Sequence, residues 1–142
     1  MRTLKLLFKY LFLSLIGGTI YYCIELIYKG GESHWSMFVL GSICFVILGL
    51  LNEFLSWETP LWKQMTYGAI IITALEFITG CIVNLWLCWN VWDYTGVWGN
   101  ILGQICLPFT IIWFFLSFVG IVLDDYIRYW CFDEEKPHYK LV

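Results

Sequence analysis

Four long apolar stretches constrain the fold of this chain more than any other feature of its sequence. They predict transmembrane helices at about residues 6–28, 36–55, 67–92 and 101–123, followed by a polar tail at residues 124–142. About 20 apolar residues in a helix span a hydrocarbon core of roughly 30 Å. Charged residues make up only 13% of the 142 residues, compared with about 25% in soluble proteins. The sequence therefore predicts an all-α membrane protein with four transmembrane helices in a single domain.

Basic residues are distributed unevenly between the two sides of the predicted bundle. The side that holds both termini carries seven lysines and arginines, and the opposite side carries only Lys29. Because basic residues are enriched in cytoplasmic loops, we expect both termini to lie in the cytoplasm. The seven residues are Arg2, Lys5, Lys9, Lys63, Arg128, Lys136 and Lys140.

Several classes of function find no support in the composition or the motifs. The net charge of −3 and the lack of a basic stripe argue against a nucleic-acid partner. The six cysteines form no C-x-x-C pair, so we expect no zinc site, redox centre or other cofactor. No nucleophile and base are placed for catalysis, so we predict that the protein is not an enzyme. A nucleotide-binding P-loop is also lacking, and any ATP-driven activity would need a separate subunit.

The third apolar stretch carries an acidic residue, Glu76, near its middle. A carboxylate at that depth in a bilayer costs roughly 2.5–3.5 kcal/mol on insertion scales, so it should face protein or water. Glu76, Gly80 and Asn84 follow at helical spacing and would share one face. With Glu25 and Gln104, these polar groups predict an intramembrane path for a substrate, proton or ion. The alternative is a hydrogen-bonded clamp, in which a protonated glutamic acid holds a neighbouring helix.

A second group of candidate residues falls at the outer end of the predicted helices. Its histidine and aspartate, together with Glu25, are suitable metal or proton ligands. Their spacing matches no metal motif, and we therefore favour capping of the second helix by Ser33, with the histidine at the membrane interface. The group comprises His34, Trp35, Trp92, Asp93 and Asn100.

Polar residues also gather at the predicted cytoplasmic end. Asn52 and Glu53 close the second helix, near a membrane surface where a charge costs much less than at the midplane. Asp124, Asp125 and Arg128 follow the fourth helix. This trio could bind a phosphate or a metal ion, but its spacing favours a solvated ion-pair cluster at a helix end.

The second and fourth predicted helices share a short sequence motif. Leu-Gly-Ser-Ile-Cys at residues 40–44 recurs as Leu-Gly-Gln-Ile-Cys at residues 102–106, and a tryptophan precedes each copy. In the first and third helices, Glu25 and Glu76 each precede an apolar residue and an isoleucine. Two tandem helical hairpins of the same orientation would explain both matches. The two acids and two glycines would then meet around a pseudo-twofold axis.

Short strings spread along the chain resemble one protein family. They are GGTIYYCIE at residues 17–25, SHWSMF at 33–38, GLLNE at 49–53, LEFITG at 75–80, VWDY at 91–94 and GQICL at 103–107. The family is that of the small bacterial membrane proteins described as type IV ABC-transporter permeases, and the resemblance extends from about Gly17 to Tyr129. It implies a polytopic transport protein of the bacterial cytoplasmic membrane. The residues that it carries over are Glu25, His34, Trp35, Glu53, Glu76, Asn84, Trp92, Asp93, Asn100 and Gln104.

From the polar residues and the resemblance together, we predict a permease-like transporter component with a polar intramembrane cavity. The alternative is a non-transporting membrane protein that binds envelope enzymes or lipid-linked precursors through its aromatic outer surface. Membrane lipids are expected partners in either case. Because four helices enclose little space alone, we also expect further copies of the chain, a separate ATPase or an envelope protein as partners.

Overall fold

The computed structural model describes all residues from Met1 to Val142 and consists of helices and loops, with no strand. Four helices are long and apolar enough to cross a membrane, which confirms the predicted all-α fold. They are α1 (Arg2–Lys29), α2 (Trp35–Phe54), α3 (Leu61–Gly80, continued as a π-helix over Cys81–Trp86) and α4 (Leu107–Phe132).

His34 sets the start of α2. Its Nδ1 atom accepts a hydrogen bond from the backbone N–H of Ser36 at 3.2 Å, which satisfies one of the free donors of the first turn. The predicted cap, Ser33, is therefore wrong by one residue. Its hydroxyl instead donates to Glu25 at 3.2 Å, and a histidine ring nitrogen accepts the capping bond that an oxygen usually accepts.

The third span covers residues 61–86, whereas the sequence predicts 67–92. It begins directly after Pro60, which has no N–H to donate. It ends early because Asn84 Oδ1 accepts the backbone N–H of Val91 at 2.7 Å, which folds the chain back onto the helix. Cys88 and Asn90, with φ of 56° and 50°, make this reversal in the left-handed region. The segment that contains Trp89 and Trp92 is thus apolar but not helical.

The fourth helix begins at Leu107 and ends at Phe132, in place of the predicted residues 101–123. Leu102 and Gly103 precede it with φ of 52° and 69°, a conformation that no α-helix contains. Pro108 lies in the first turn, where a missing N–H costs nothing. At its other end the helix continues through residues 124–132, which the sequence assigns to the polar tail.

The helices pack most extensively in two sequential pairs, α1 with α2 and α3 with α4. Glycines allow close approach within the first pair, since a Cβ atom on Gly17 would lie 2.2 Å from Cγ of Phe45. The pairing agrees with two helical hairpins. The proposed repeat fails at residues 102–106, however, because Gly103 lies in the loop before α4 whereas Gly41 lies inside α2. The two glycines are not equivalent.

The bundle has two distinct ends. At the first, here called the terminal end, Lys9 of α1 forms an ion pair with Glu134, and Tyr10 donates to Glu53 of α2 at 3.1 Å. At the second, the loop end, Lys29 contacts the carbonyl of Val91 at 3.3 Å. The long loop of residues 87–106 covers this end. Both termini therefore approach the same end, and their cytoplasmic location remains a prediction.

Candidate functional site

The membrane acid Glu76 lies inside the bundle, with 3% of its surface exposed. Its Oε1 atom accepts a hydrogen bond from the Tyr94 hydroxyl at 2.9 Å. Its Oε2 atom accepts a second bond from Trp113 Nε1, also at 2.9 Å. The carboxyl group therefore connects α3 both to the loop that follows it and to α4. As the sequence indicates, this acid faces protein and links neighbouring elements, but it accepts both hydrogen bonds, whereas the clamp alternative has a protonated acid that donates one.

Aromatic rings surround the Glu76 carboxyl. The ring of Tyr94 stacks on Phe109 at a centroid distance of 4.9 Å, and Phe109 contacts Trp113 at 5.8 Å. Burial, and then the nearby Glu76 carboxyl, raise the pKa of Tyr94 above the usual value for a tyrosine. The phenol thus keeps its proton at neutral pH. Both donors to Glu76 are consequently neutral groups set in an apolar shell.

An apolar groove of about 80 Å³ lies beside Glu76. Helices α1, α2, α3 and α4 all contribute to its walls, and Glu76 is its only acidic lining residue. The groove lies where α1 and α4 make little contact with each other. The arrangement can hold an apolar group, with the Glu76 side chain forming part of one wall. Its lining includes Ile20, Tyr21, Cys44, Trp113 and Val119.

Asn84 and Gln104, the amides of the predicted path, contact each other away from the Glu76 carboxyl. Asn84 Nδ2 donates to Gln104 Oε1 at 2.8 Å. Trp92, predicted to lie in the outer group, joins them by donating from Nε1 to the Gln104 carbonyl at 2.9 Å. Gln104 Nε2 donates to the carbonyl of Leu102 at 2.9 Å. These hydrogen bonds fix the loop of residues 87–106 against the end of α3.

Glu25 lies at the loop end, in a separate polar group. It forms an ion pair with Lys29 at 3.0 Å and accepts a hydrogen bond from Ser33 at 3.2 Å. No hydrogen bond joins it to Glu76. The predicted path residues Glu25, Glu76, Asn84 and Gln104 thus form three groups and not one continuous hydrogen-bonded chain.

The predicted outer group also divides. His34 packs against Trp35 and Trp89, with centroid distances of 5.3 and 5.1 Å. Asp93 accepts the backbone N–H of Thr95 at 2.8 Å and also the Thr95 hydroxyl. These two hydrogen bonds lower the pKa of Asp93. The acids and the histidine do not converge on a possible metal site.

Asn100 stabilises the same loop from its other side. Its Nδ2 atom donates to the carbonyl of Val97 at 2.9 Å, and its Oδ1 atom accepts the backbone N–H of Gly103 at 3.1 Å. Asp93 and Asn100 therefore act on the local backbone, which explains side chains of this type in a loop.

Asp124, Asp125 and Arg128 at the terminal end are buried, contrary to the solvated cluster that the sequence favours. Asp124 is 0% and Arg128 is 3% exposed. Arg128 Nε donates to Asp124 at 2.6 Å, and Arg128 Nη1 donates to Glu53 at 2.8 Å. Asn52 donates to Asp125. The helical spacing of Asp124 and Arg128 predicts their pairing correctly, but it cannot predict what covers them.

The polar tail supplies that cover. Tyr139 donates to Asp125 at 2.7 Å, and the ring of His138 stacks on Trp57 at 4.7 Å. The backbone N–H of Leu61 donates to the carbonyl of Lys140 at 2.7 Å. Burial and the hydrogen bond to Asp125 raise the pKa of Tyr139, so this donor keeps its proton. The tail is thus docked on the connector between α2 and α3.

Sequence reasoning missed two sets of residues that contact the buried polar groups. Trp113 and Tyr94, the partners of Glu76, were apparent only as aromatic residues of a helix and of an interfacial belt. Glu134 and Tyr139 were apparent only as members of a polar tail. A buried acid requires donors, and Trp and Tyr are the apolar residues that can donate. That signal identifies the residue types but not the positions.

Comparisons with solved structures and with protein families give different results. No solved structure matches this chain significantly. The model of the family described as "Putative ABC-transporter type IV" matches residues 8–136. That match is wider than the resemblance carried by the short strings, and it includes most of α1 and all of the other three spans. The chain therefore belongs to this ABC-transporter family, as a multi-pass membrane protein.

Proposed function

We propose that this protein is a permease-like subunit of a transporter in the bacterial cell membrane, and that its substrate contacts the groove beside Glu76. Membership of the ABC-transporter family supports the transport role. The observation that carries the site is a buried acid in the wall of an otherwise apolar groove. Such a surface favours a substrate with an apolar body and a positively charged or hydrogen-bond-donating group.

The other predicted path residues have supporting roles in this proposal. Asn84 and Gln104 hold the loop that carries Tyr94, one of the two donors to Glu76. Glu25 lies one helical turn beyond the groove residue Tyr21. A cation that moved from the groove toward the loop end would therefore meet this second acid.

The functional unit requires partners. A groove of about 80 Å³ holds only part of a substrate, and drug-sized sites usually enclose about 300–1,000 Å³. The chain also exposes large apolar side chains along its helices, including Ile70, Ile78 and Phe115. Further copies of the chain and membrane lipids would cover these faces. A separate ATPase would supply the energy.

The basic terminal end faces the cytoplasm in this proposal, as the distribution of Lys and Arg predicts. A cytoplasmic ATPase would approach the connector of residues 55–60, between α2 and α3. The docked tail covers part of this connector, since His138 and Tyr139 both contact Trp57. The ATPase surface would thus be formed jointly by connector and tail.

Substitution of Glu76 tests the transport site. Glu76→Gln removes the charge, yet its amide can accept from Trp113 and donate to the Tyr94 oxygen. Membrane vesicles containing the protein and its native partners would be supplied with ATP and a panel of labelled apolar amines. We expect uptake to fall by about tenfold or more, the effect of losing one charge-assisted contact, while the protein still folds.

Two companion variants complete this test. Glu76→Leu removes both hydrogen bonds and should lower thermal stability as well as uptake. Glu32→Gln, at an exposed position of the loop end, is the matched control and should leave uptake unchanged. Normal uptake by Glu76→Gln, together with an unstable Glu76→Leu protein, would assign Glu76 a purely structural role.

A non-transporting role has one supporting observation. Trp86, at the end of the π-helix, and Trp98, in the loop that follows, are 76% and 75% exposed at the loop end, and internal hydrogen bonds fix this loop in place. A rigid aromatic surface can bind an envelope enzyme or a lipid-linked precursor. Purification in mild detergent separates the two functions, because a co-purifying ATPase supports transport and a stable envelope protein or lipid supports the alternative.

A further inference from the structure

A second cavity, of about 160 Å³, lies at the terminal end. We call it the acidic pocket. Unlike the groove beside Glu76, it is lined almost entirely by polar residues, which come from α2, α4, the connector and the tail. The lining residues used below are Asn52, Glu53, Asp125, Arg128, Glu134 and Glu135.

The charges around the acidic pocket do not balance. Four of its lining residues are acids, and the buried Asp124 lies directly behind Arg128. The cations are Arg128 and Lys9, which pairs with Glu134 and lies 3.9 Å from Glu53. The His138 ring lies 3.8 Å from Glu135. Even with His138 counted as a cation, five carboxyl groups share three positive charges. An excess of negative charge in a partly buried site favours a positively charged occupant.

Two buried polar atoms of the pocket residues have no hydrogen-bond partner within the protein. One is Arg128 Nη2, a donor on a side chain that is 4% exposed. The other is Asn52 Oδ1, an acceptor whose amide nitrogen already donates to Asp125. Buried polar groups are paired in the great majority of proteins. Both atoms are closed to water although their side chains line the pocket, so a ligand reaches them only when neighbouring pocket side chains move, and one that carries a donor and an acceptor would then pair with both.

We propose that the acidic pocket binds a primary ammonium group next to an acceptor oxygen. The ammonium group would donate to Asn52 Oδ1 and be attracted by Glu53, Asp125 and Glu135. The acceptor oxygen would take the hydrogen bond that Arg128 Nη2 offers. This pair of groups occurs in free amino alcohols and in the head groups of aminophospholipids. The inference is independent of the proposed transport function.

The position of the pocket is compatible with either source. Helix α4 has 26 residues, so it is about 39 Å long and exceeds the hydrocarbon core by about 9 Å. Arg128 lies in the last two turns of α4, where a helix of this length reaches the head-group region. A lipid head group and a dissolved amine can both reach that depth.

A matched pair of ligands tests the chemistry without altering the protein. Ethanolamine and choline share a hydroxyl group and a positive charge, but the quaternary nitrogen of choline cannot donate a hydrogen bond. Titration of each into the detergent-solubilised full chain, followed by thermal unfolding and calorimetry, should show ethanolamine binding at least about tenfold more tightly. Equal binding of both, or stabilisation by neither ethanolamine nor the lipid below, would overturn the proposal.

An experiment with lipids distinguishes a lipid head group from a dissolved amine as the ligand. The full chain would be placed in nanodiscs of phosphatidylcholine, with or without phosphatidylethanolamine, and its unfolding midpoint measured. A midpoint raised by phosphatidylethanolamine, and retention of this lipid in native mass spectrometry, would identify a head-group site. A response to ethanolamine alone would identify a site for a dissolved amine.

Variants locate the binding in the pocket. Asn52→Leu removes the unpaired acceptor and should abolish the preference for ethanolamine over choline. Glu135→Gln is a milder change, because its side chain is 67% exposed and the amide oxygen can still accept from Trp57. It keeps the test decisive if Asn52→Leu does not fold, and it should weaken ethanolamine binding severalfold. Glu58→Gln removes an exposed carboxylate outside the pocket and should change nothing. Unchanged ethanolamine binding in Glu135→Gln would contradict the assignment.

Discussion

The protein buries charge in two places, and it satisfies that charge in different ways. Glu76 is a single acid whose two oxygens accept hydrogen bonds from the neutral donors Tyr94 and Trp113. Arg128 lies in a network of several acids, and its Nη2 atom has no partner. The first site is complete within one chain. The second leaves Arg128 Nη2 unpaired, and the comparison teaches that neutral donors can satisfy a lone buried acid, whereas a cluster of charged groups leaves atoms without partners.

The largest effect should come from removing the cation at the terminal end. Arg128→Met leaves Asp124 and Glu53 without their main partner. Loss of one member of a buried ion pair typically costs about 3–5 kcal/mol, so we expect little folded protein. Thermal unfolding in detergent and gel filtration would measure this. Lys136→Met, which removes an exposed positive charge, is the control. A normally stable Arg128→Met protein would mean that the acids there are protonated and need no cation.

A smaller effect is expected at the Glu76 site, because each of its donors is neutral and only one is lost at a time. Trp113→Phe keeps most of the ring but leaves Glu76 Oε2 without its donor. We expect a loss of about 1–3 kcal/mol in the free energy of unfolding. The exposed Trp130 provides the control Trp130→Phe, which should be nearly neutral. In a Glu76→Leu background the cost of Trp113→Phe should largely disappear, and an unchanged cost would show that packing alone is responsible.

The smallest effect should occur at Glu25, the acid of the loop end. Its partner Lys29 is spaced for an i,i+4 pair at the end of α1, at 3.0 Å. Pairs of this kind near a surface contribute about 0–1 kcal/mol. Glu25→Gln should therefore shift the unfolding midpoint only slightly, in a manner that added salt reduces. A loss as large as that of Trp113→Phe would contradict the assignment of Glu25 to a weak surface ion pair.

The four spans were predictable because each is a long apolar run, and no water-soluble fold accommodates four of them in 142 residues. Their ends were less predictable. Residues 87–92 are as apolar as a helix, yet hydrogen bonds from Val91 and Trp92 to the Asn84 side chain end the span there. A local pattern does not reveal that a side chain will replace the backbone as acceptor.

The sites show the same limit at longer range. The sequence places Glu76 near the middle of a span, and the free-energy cost of a charge in lipid predicts that protein or water surrounds it. Its partners lie 18 and 37 residues away along the chain, and only the packed bundle specifies which of many aromatic residues they are. The acidic pocket was not predictable for a similar reason. The pocket is covered by the C-terminal tail. The polar sequence of this tail predicts a solvated segment, whereas in the structure Tyr139 contacts Asp125.

The docked tail has a consequence for biosynthesis. Glu134 and Tyr139 follow all four spans in the chain, so a ribosome adds them only after Arg128 and its acidic neighbours have been made. Until then the charged end of α4 stays open to water or to insertion factors. Premature termination after residue 132 would therefore deliver a protein with all its membrane crossings but an uncovered charge cluster, which membrane proteases could recognise.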